Sequence, residues 1–230
     1  MAKRLLLVRH GESEMNLRAH QVVSGQSNSS PLTQLGRAQA AALGKHLAAL
    51  HPRLAGLVLS STAVRAADTA AIALQHWPSA DRPELVQLPE LLELSQGSWE
   101  GAPRAACYTP DVLAAIRRDP WGFAAPGGES QKQLEARVTA AVSRALAALK
   151  PGGPPLLVFT HGLAIKCFVR GVMNSAPDLT WKIQIDNSSV TELVLVEGGA
   201  AEGWHVCRVN DTAHLALAGL AGAPADLQRS

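Results

Sequence analysis

Histidine, arginine and serine residues stand directly after three short apolar runs in this 230-residue chain. The runs and the residues that follow them are 5–8 with Arg9-His10-Gly11-Glu12, 56–59 with Ser60-Ser61 and then Arg65, and 156–159 with Thr160-His161-Gly162. Runs of this length, bounded by polar or glycine residues, are typical of strands buried on both faces of a parallel sheet. Because ligands bind beyond the carboxyl ends of such strands, we expect these polar residues to meet at one rim of the sheet.

A rim that gathers Arg9, His10, Arg65 and His161 would bind an anion and present it to a nucleophile. Guanidinium groups supply positive charge, helices that start at the rim add backbone N–H donors, and a neutral imidazole can act as the nucleophile. Taken singly, a histidine at a strand end or an arginine near a helix start is more often a structural or solvated residue. The placement of all of them at one rim favours the catalytic interpretation.

A zinc site is the alternative for the two histidines. His10, His161 and a carboxylate would supply ligands that zinc accepts. However, the sequence has no HxxxH or HxxE spacing on a predicted helix, and two neighbouring arginines would repel a cation. We therefore predict phosphate binding rather than metal binding, with no metal and no cofactor.

The composition argues against several classes of partner. A formal net charge of +2, from 21 basic and 19 acidic residues, is too small to indicate nucleic acid as the main partner. The cysteines, Cys107, Cys167 and Cys207, are too far apart for a disulfide framework or a CxxC metal site, so a reducing cytoplasm is the expected compartment. The basic residues 1–4 and the apolar run 5–8 are too short for a signal peptide, and no stretch is long enough to span a membrane.

The remaining pattern predicts a single α/β domain. Predicted helices cover residues 33–50 with a Thr33 cap, 63–77, and 130–149 with a Ser130 cap, and the proline- and glycine-rich residues 151–155 end the last of these. Apolar residues 190–196 and 204–209 flank Gly198-Gly199 and predict a hairpin at the sheet edge. Strands that alternate with helices predict, over residues 1–217, a three-layer sandwich in which helices cover both faces of a mostly parallel sheet. The Ala/Gly-rich residues 218–230 are predicted to be a partly mobile tail.

Short motifs stand in an ordered series between about residue 4 and residue 215. They are Arg9-His10-Gly11-Glu12 with Asn16, Pro31-Leu32-Thr33 with Gly36 and Gln39-Ala40, Ser60-Ser61 with Arg65-Ala66 and Thr69-Ala70, Glu93 with Gly97 and Trp99-Glu100-Gly101, Pro126-Gly127-Gly128-Glu129-Ser130, Thr160-His161-Gly162, Asn187-Ser188-Ser189-Val190, and Asn210-Asp211 with His214-Leu215. A single RHG triplet would be a weak signal, but this ordered series covers nearly the whole chain and resembles the histidine phosphatase (phosphoglycerate mutase-like) superfamily. The resemblance points to its phosphatase branch, which includes broad-specificity and α-ribazole phosphatases.

The resemblance implies a role for each residue of the site. His10 would attack the phosphorus atom as a neutral imidazole whose other ring nitrogen is held by a backbone acceptor, which forms a phosphohistidine. Arg9, Arg65 and His161 would surround the equatorial phosphoryl oxygens, and Asn16 would add a neutral donor. Glu93 would protonate the leaving oxygen and then activate water. The implied catalytic residues are therefore Arg9, His10, Arg65, Glu93 and His161, and the implied substrate-binding residues are Arg9, Asn16, Ser24, Arg65, His161 and Gly162.

A cofactor-dependent phosphoglycerate mutase is the main alternative within this resemblance. Mutases typically carry a Tyr-Gly and a Lys-bearing segment beyond the glutamate, which excludes water, whereas residues 94–99 of this chain read Leu-Ser-Gln-Gly-Ser-Trp. Arg117-Arg118 resemble the paired substrate arginines of mutases, but Asp119-Pro120 fits the phosphatase pattern better. A catalytically dead phospholigand-binding protein would be expected to lack His10 or Glu93. The sequence thus favours a phosphomonoesterase for small phosphorylated metabolites.

The sequence identifies neither the substrate nor the oligomeric state. In the superfamily, specificity comes from segments that roof the pocket, which correspond here to residues 22–28 and 107–123. Trp99 and Trp121 are compatible with an aromatic or sugar group in that pocket and equally with simple packing.

Overall fold

A six-stranded sheet forms the centre of the computed structural model, which describes residues 1–54 and 57–220. Its strands are β1 (Ala2–Arg9), β2 (Leu57–Ser61), β3 (Glu84–Leu88), β4 (Leu156–Thr160), β5 (Val190–Val196) and β6 (Gly203–Asp211). Across the sheet they lie in the order β3-β2-β4-β1-β5-β6. Strands β3, β2, β4 and β1 pair in parallel, β5 pairs antiparallel with β1, and β6 pairs antiparallel with β5 at the edge. The predicted mostly parallel sheet and its edge hairpin are therefore confirmed.

Strand β3 was not predicted from the sequence. Its residues Glu-Leu-Val-Gln-Leu form a short, partly exposed strand at the other edge of the sheet, and such a strand gives a weak pattern. The strand predicted at 56–59 corresponds to β2, and its predicted first residue, Gly56, lies outside the described residues. Because β3 lies beyond β2, the strands that carry the predicted site residues remain neighbours.

Helices cover both faces of the sheet, which completes the predicted three-layer sandwich. They are α1 (Glu14–Arg18), α2 (Gln34–Leu50), α3 (Val64–Leu74), α4 (Arg104–Cys107), α5 (Pro110–Arg118), α6 (Gln131–Ala147), α7 (Gly162–Val172) and α8 (Ala213–Leu217). Thr33 caps α2 and Ser130 caps α6, each through a side-chain oxygen that accepts from the backbone N–H three residues on. Helices α3 and α6 end slightly earlier than predicted, at Leu74 and Ala147.

Alternate residues of each central strand point to opposite faces of the sheet. In β1, Leu5 and Leu7 pack with α6 and α7 on one face, and Leu6 and Val8 pack with α2 and α3 on the other. Strand β4 divides its side chains in the same way. Because both faces are buried at residues 5–8 of β1 and 156–159 of β4, every one of these positions is apolar, which is why they form continuous apolar runs in the sequence.

The C-terminal helix α8 ends at Leu217, where the predicted domain ends. Of the predicted tail 218–230, residues 221–230 lie outside the described residues. No helix within residues 1–54 and 57–220 is both long and apolar enough to cross a bilayer.

The loop after β1 packs directly on the start of α2. A Cβ atom on Gly11 would lie 2.5 Å from the carbonyl oxygen of Gly36, and a Cβ atom on Gly36 would lie 2.0 Å from the carbonyl oxygen of Glu12. Both distances are far below van der Waals contact and involve backbone atoms, which cannot easily move aside. Glycine at position 11 therefore allows the loop that carries His10 to lie against α2.

We expect Gly11→Ala to destabilise the protein by about 1–3 kcal/mol, because the new methyl group overpacks two backbone segments. Urea unfolding measures the change in the free energy of unfolding. Gly162→Ala is the matched control, because a Cβ there would meet Arg9 atoms at 3.5–3.6 Å, which is an ordinary contact. A loss in Gly11→Ala no larger than in the control would contradict this explanation of the loop.

Candidate active site

The carboxyl ends of the neighbouring strands β1 and β4 place two histidines side by side. Arg9 of β1 pairs with Thr160 of β4, so His10 and His161 are the next residues along each strand. The backbone N–H of His10 donates to the Thr160 carbonyl oxygen at 3.0 Å, and the two imidazole centroids lie 5.1 Å apart. Both side chains are buried. The strand register thus determines the histidine pair.

Arg65, the second residue of α3, connects the two histidines. Its Nε donates to Nε2 of His10 and its Nη2 donates to Nδ1 of His161, each at 3.2 Å. Its Nη1 donates to the carbonyl oxygens of Gln26 and Ser27, each at 2.9 Å. Helix α3 follows β2, the neighbour of β4, so the strand order brings the guanidinium to this position. Arg65 thus links both imidazoles with the loop above them.

The guanidinium determines the tautomer of each imidazole. Arginine has only donor groups, so the ring nitrogens that face Arg65 must be unprotonated acceptors. In His10 the proton is therefore on Nδ1, which donates to the Gly11 carbonyl oxygen at 2.7 Å. In His161 the proton is on Nε2, which donates to Oγ of Ser61 at 2.9 Å. His10 thus presents an unprotonated Nε2 next to a guanidinium group.

Burial is the main reason why the pKa of His10 and that of His161 both lie well below the usual imidazole value. The positive charge of Arg65 lowers both pKa values further, and Arg9 contributes in the same direction. For His10, the hydrogen bond to Gly11 acts in the opposite direction with a smaller effect. Both imidazoles are therefore neutral at neutral pH, and a neutral imidazole is the form that can act as a nucleophile.

We expect ¹⁵N NMR of histidine-labelled protein at about pH 6 to show His10 as the neutral Nδ1–H tautomer and His161 as the neutral Nε2–H tautomer. The urea-unfolded protein is the control, because its imidazoles titrate at about pH 6.5. Since the folded pKa lies below the unfolded one, the stability that these groups contribute is complete above about pH 6.5 and is lost as the pH falls below it. An imidazolium at either position at about pH 6 would contradict the described hydrogen bonds.

Arg9 lies beside the histidine pair. Its Nη1 donates to the carbonyl oxygen of Ile185 at 2.6 Å, and its Nε is buried without a hydrogen-bond partner in the described part of the chain. Gly162, the first residue of α7, is close to this guanidinium, since a Cβ there would lie 3.5 Å from Nε. Burial lowers the pKa of Arg9, but a guanidinium remains charged at neutral pH. Arg9 therefore places positive charge at the first turn of α7.

Asn16 is tied to the backbone of His10 by a second asparagine. The Oδ1 of Asn16 accepts from the backbone N–H of Ser13 at 2.9 Å and from Nδ2 of Asn187 at 3.3 Å, which leaves its amide nitrogen as a donor. Nδ2 of Asn187 also donates to the His10 carbonyl oxygen at 2.9 Å. No role was predicted for Asn187, although its place in one of the ordered motifs was a signal.

Glu93 lies in the loop after the 3-10 turn Pro89–Leu91, and its carboxyl group contacts the first turn of α7, the helix that follows His161. Its Oε1 accepts from the backbone N–H groups of Leu94 at 3.0 Å and Ala164 at 3.2 Å, and its Oε2 accepts from that of Leu163 at 3.0 Å. Two of these donors belong to the first turn of α7, where a helix leaves N–H groups free and favours a negative charge. The carboxyl group is thus held in a defined position, and it lines a cavity.

Arg137 of α6 holds the backbone that carries Glu93. Its guanidinium donates to three carbonyl oxygens within residues 90–93 at 2.7–2.8 Å. It also forms a salt bridge with Glu129, whose Oε1 accepts from the backbone N–H of Ser95. Glu129 lies in a motif noted in the sequence, whereas Arg137 has the pattern of an ordinary helix surface residue. Neither was predicted to support the site.

Hydrogen bonds to Arg65 and to Glu100 hold the loop of residues 24–28. Arg65 binds its carbonyl oxygens, and Glu100 accepts from its backbone N–H groups. Gly25 has φ +48°, and a Cβ there would lie 2.4 Å from Oε1 of Glu100, so this position requires glycine. Ser24, the predicted polar contact of this loop, lines the same cavity as Glu93.

The cavity beside Glu93 has a volume of about 510 Å³. It is lined by Ser24, Gly25, Glu93, Leu94, Gln96, Arg104, Tyr108, Leu113, Ile116, Arg117, Pro120, Leu163, Asp178 and Trp181. The two segments predicted to roof the pocket, 22–28 and 107–123, supply half of these residues. The 3-10 turn Pro177–Lys182, which was not predicted to take part, adds an acidic and an aromatic side chain.

Trp99 and Trp121 are half-buried, pack against neighbouring side chains and do not line this cavity. The ring centroid of Trp99 lies 5.4 Å from that of Tyr108 and 6.0 Å from that of Phe123. The guanidinium carbon of Arg170 lies 3.6 Å from the ring centroid of Trp121. Of the two interpretations of these tryptophans, simple packing is therefore the one that the structure supports.

Among the described residues, no group of three or more His, Cys, Asp or Glu side chains could hold a metal ion. His10 and His161 each use one ring nitrogen to accept from Arg65. A cation between them would have to displace that guanidinium and would be repelled by it. The arrangement is suited to an anion.

Comparisons with known proteins give a consistent family. The family model of the histidine phosphatase superfamily (branch 1) matches residues 5–212. A probable phosphoglycerate mutase GpmB of Yersinia enterocolitica is 32% identical over 222 residues, which cover 94% of this chain and 96% of that protein. The native structure of a mycobacterial glucosyl-3-phosphoglycerate phosphatase has a TM-score of 0.77 and 25% identity, and the match covers 92% of this chain and 100% of that one.

A putative α-ribazole-5′-P phosphatase from Escherichia coli has the same fold, with a TM-score of 0.73 and 24% identity over 92% of this chain and 97% of that one. The family match runs from within β1 to just past the end of β6. The predicted resemblance is thus confirmed, and the chain belongs to branch 1 of the histidine phosphatase superfamily.

Proposed function

We propose that this chain is a phosphomonoesterase that hydrolyses small phosphorylated metabolites through a phosphohistidine on His10. The observation that carries the proposal is the unprotonated Nε2 of His10, which lies 3.2 Å from Nε of Arg65. A neutral nucleophile and an anion-binding group therefore stand at one position. The name of the mycobacterial neighbour, a phosphatase at 25% identity, supports hydrolysis.

In the first step, Nε2 of His10 attacks phosphorus and the bond between phosphorus and the ester oxygen breaks. Arg65 and Arg9 attract the phosphoryl oxygens, and when an oxygen takes the Arg65 donors, Nε2 is free to attack. The Nδ1–H of His10 stays bonded to the Gly11 carbonyl oxygen, which stabilises the positive charge that the ring gains. The ester oxygen leaves with the electron pair of the broken bond and takes the proton of a protonated Glu93, and the N–H groups of α7 stabilise the carboxylate that remains.

In the second step, water attacks the phosphorus of the phosphohistidine. Glu93, now a carboxylate, accepts a proton from this water. The bond between phosphorus and Nε2 breaks, and its electron pair returns to the imidazole of His10. Inorganic phosphate leaves, and Glu93 is again protonated for the next cycle.

The cavity beside Glu93 favours hydrolysis over a mutase reaction. Its volume of about 510 Å³ lies in the range of sites that enclose a whole drug-sized ligand. A three-carbon glycerate would fill only part of it and would leave water beside Glu93, the proposed base of the second step. A mutase must keep that water out, because the phosphoryl group otherwise goes to water. The name of the Yersinia relative keeps phosphoglycerate mutase as the second candidate.

A direct assay separates the candidates. Purified protein is incubated with a panel of phosphomonoesters and, in parallel, with 3-phosphoglycerate under mutase conditions. We expect release of inorganic phosphate to be faster than the formation of 2-phosphoglycerate. The reverse order would make the chain a mutase, and binding of phosphomonoesters without either product would make it a phospholigand-binding protein.

We expect hydrolysis to persist in excess EDTA. Arg9, Arg65, His10 and His161 form a phosphate site whose arginines already provide the positive charge that a metal ion would otherwise provide. Vanadate is expected to inhibit, since it adopts the five-coordinate geometry of the transferred phosphoryl group. A metal-dependent phosphatase in the same buffer is the control for effective chelation. Loss of activity in EDTA and its recovery on addition of a divalent cation would contradict the metal-free mechanism.

We place the reaction in the cytoplasm, with a small phosphorylated metabolite as partner rather than nucleic acid or a membrane. Cys107, Cys167 and Cys207 are free thiols. Burial raises the pKa of Cys167, which keeps it a protonated thiol packed in the core. Free thiols of this kind suit a reducing compartment.

A further inference from the structure

We infer that the cavity beside Glu93 binds a bulky apolar alcohol group, aromatic by preference, so that the favoured substrates are phosphomonoesters of large apolar alcohols. The inference rests on the proposed hydrolysis at His10. It assigns the substrate class through the part of the substrate that leaves, rather than through the phosphoryl group.

The position of Glu93 decides which part of the substrate enters the cavity. In the proposed reaction Glu93 protonates the ester oxygen, which is the atom between phosphorus and the alcohol. In the same reaction His10 attacks the phosphorus while Arg65 and Arg9 attract the phosphoryl oxygens, and none of these three side chains lines the cavity, whereas Glu93 does. The space beyond Glu93 therefore holds the alcohol.

The wall of the cavity is mostly apolar. Seven of its side chains are hydrophobic, namely Leu94, Tyr108, Leu113, Ile116, Pro120, Leu163 and Trp181. Leu113 and Trp181 are large side chains that remain 39% and 46% exposed. Two such residues from separate elements, facing one cavity, are typical of a binding site rather than of scattered surface residues. An apolar alcohol would cover them.

Two of the polar side chains of the cavity, Asp178 and Arg104, are already engaged with neighbouring side chains. Each hydroxyl group that enters needs a hydrogen-bond partner. Asp178 already pairs with Lys182 at 2.6 Å. The guanidinium of Arg104 lies over the ring of Tyr108, 4.3 Å from the ring centroid. Guanidinium groups and aromatic rings attract aromatic groups, so a wall that contains Arg104, Tyr108 and Trp181 suits an aromatic alcohol.

The test compares substrates that differ only in the tail of the alcohol. 2-Phenylethyl phosphate, 2-(naphthyl)ethyl phosphate, n-propyl phosphate and sn-glycerol 3-phosphate are all esters of primary alcohols, so each leaving oxygen needs a proton from Glu93. We expect kcat/KM for the arylethyl phosphates to exceed that for n-propyl phosphate by about tenfold or more, because each additional apolar group that enters the cavity adds binding. Glycerol phosphate is expected to be the poorest substrate.

Two variants assign the preference to this cavity. Leu113→Ala and Trp181→Ala are expected to reduce the ratio of arylethyl to propyl kcat/KM, and neither opens the core, since both side chains are partly exposed. Leu50→Ala is the matched control, because Leu50 is an exposed leucine at the end of α2 that does not line the cavity. It should leave the ratio unchanged.

The outcomes separate this inference from the proposed function. Equal or faster hydrolysis of n-propyl or glycerol phosphate would overturn the inference while the phosphatase proposal stands. A preference for arylethyl phosphates that both cavity variants retain would overturn the assignment to this cavity. No phosphate release from any substrate would overturn both proposals.

Discussion

His10→Ala is expected to reduce phosphatase activity by on the order of 10⁴-fold or more, because it removes the nucleophile and no neighbouring group can replace it. The fold should persist, since His10 lies at the end of β1 beyond the two apolar clusters. Circular dichroism and urea unfolding check the fold, and phosphate release checks the activity. His46→Ala is the control, because His46 lies near the C-terminal end of α2, whereas it is the start of α2, at Gly36, that packs on the loop carrying His10.

The covalent intermediate gives the same variant a second readout. Brief exposure of the wild-type protein to ³²P-labelled substrate should leave a protein-bound phosphate that survives base and is lost in acid, as a phosphoramidate does. His10→Ala should carry no such label. An adduct that survives acid, or full activity in His10→Ala, would disprove the phosphohistidine mechanism.

Glu93→Gln is expected to slow the first turnover of an alkyl phosphate by on the order of 100-fold or more, because an alkoxide needs a proton as it leaves. p-Nitrophenyl phosphate should lose much less, since p-nitrophenolate leaves without a proton. The first turnover must be measured by rapid quench, because hydrolysis of the phosphohistidine also loses its base and would lower both steady-state rates. The experiment compares, for each substrate, the factor by which Glu93→Gln lowers the rate at which labelled protein forms.

Glu14→Gln is the control for loss of a carboxylate near the site, because Glu14 is exposed on α1. It should leave both first-turnover rates unchanged. If Glu93→Gln slowed both substrates by the same factor, Glu93 would position the site without acting as the acid. Glu100 would then need the same test, although its oxygens accept from backbone N–H groups of residues 26, 27 and 96.

The gathering of the site at one sheet edge was predictable from short sequence patterns. A continuous apolar run indicates a strand buried on both faces, and parallel strands end at the same edge. His10, His161 and Arg65 follow three such runs, and the structure brings both histidines within hydrogen-bonding distance of Arg65. Their catalytic roles remain predictions that the variants above test.

The support of Glu93 was not predictable in the same way. Arg137 donates to the Glu93 carbonyl oxygen across 44 residues of sequence, between a helix and a loop. No periodic pattern connects these positions, because the contact depends on where the loop places its carbonyl groups. Burial of the backbone oxygens creates the need for a donor, and only the packed structure shows that Arg137 is that donor.

The sequence by itself determined that His10, Arg65 and His161 meet at the carboxyl ends of a parallel sheet covered by helices. Continuous apolar runs indicate strands buried on both faces, and strands that alternate with helices indicate a parallel sheet. Only the tertiary structure decided the state and surroundings of those groups. The tautomer of His10 depends on the hydrogen bond that Nε of Arg65 donates to its Nε2 at 3.2 Å. The cavity wall depends on the 3-10 turn that contributes Trp181. Trp99 and Trp121 pack elsewhere for the same reason. Distances of this kind arise from the packing of segments far apart in the chain, and no local pattern of residue types contains them.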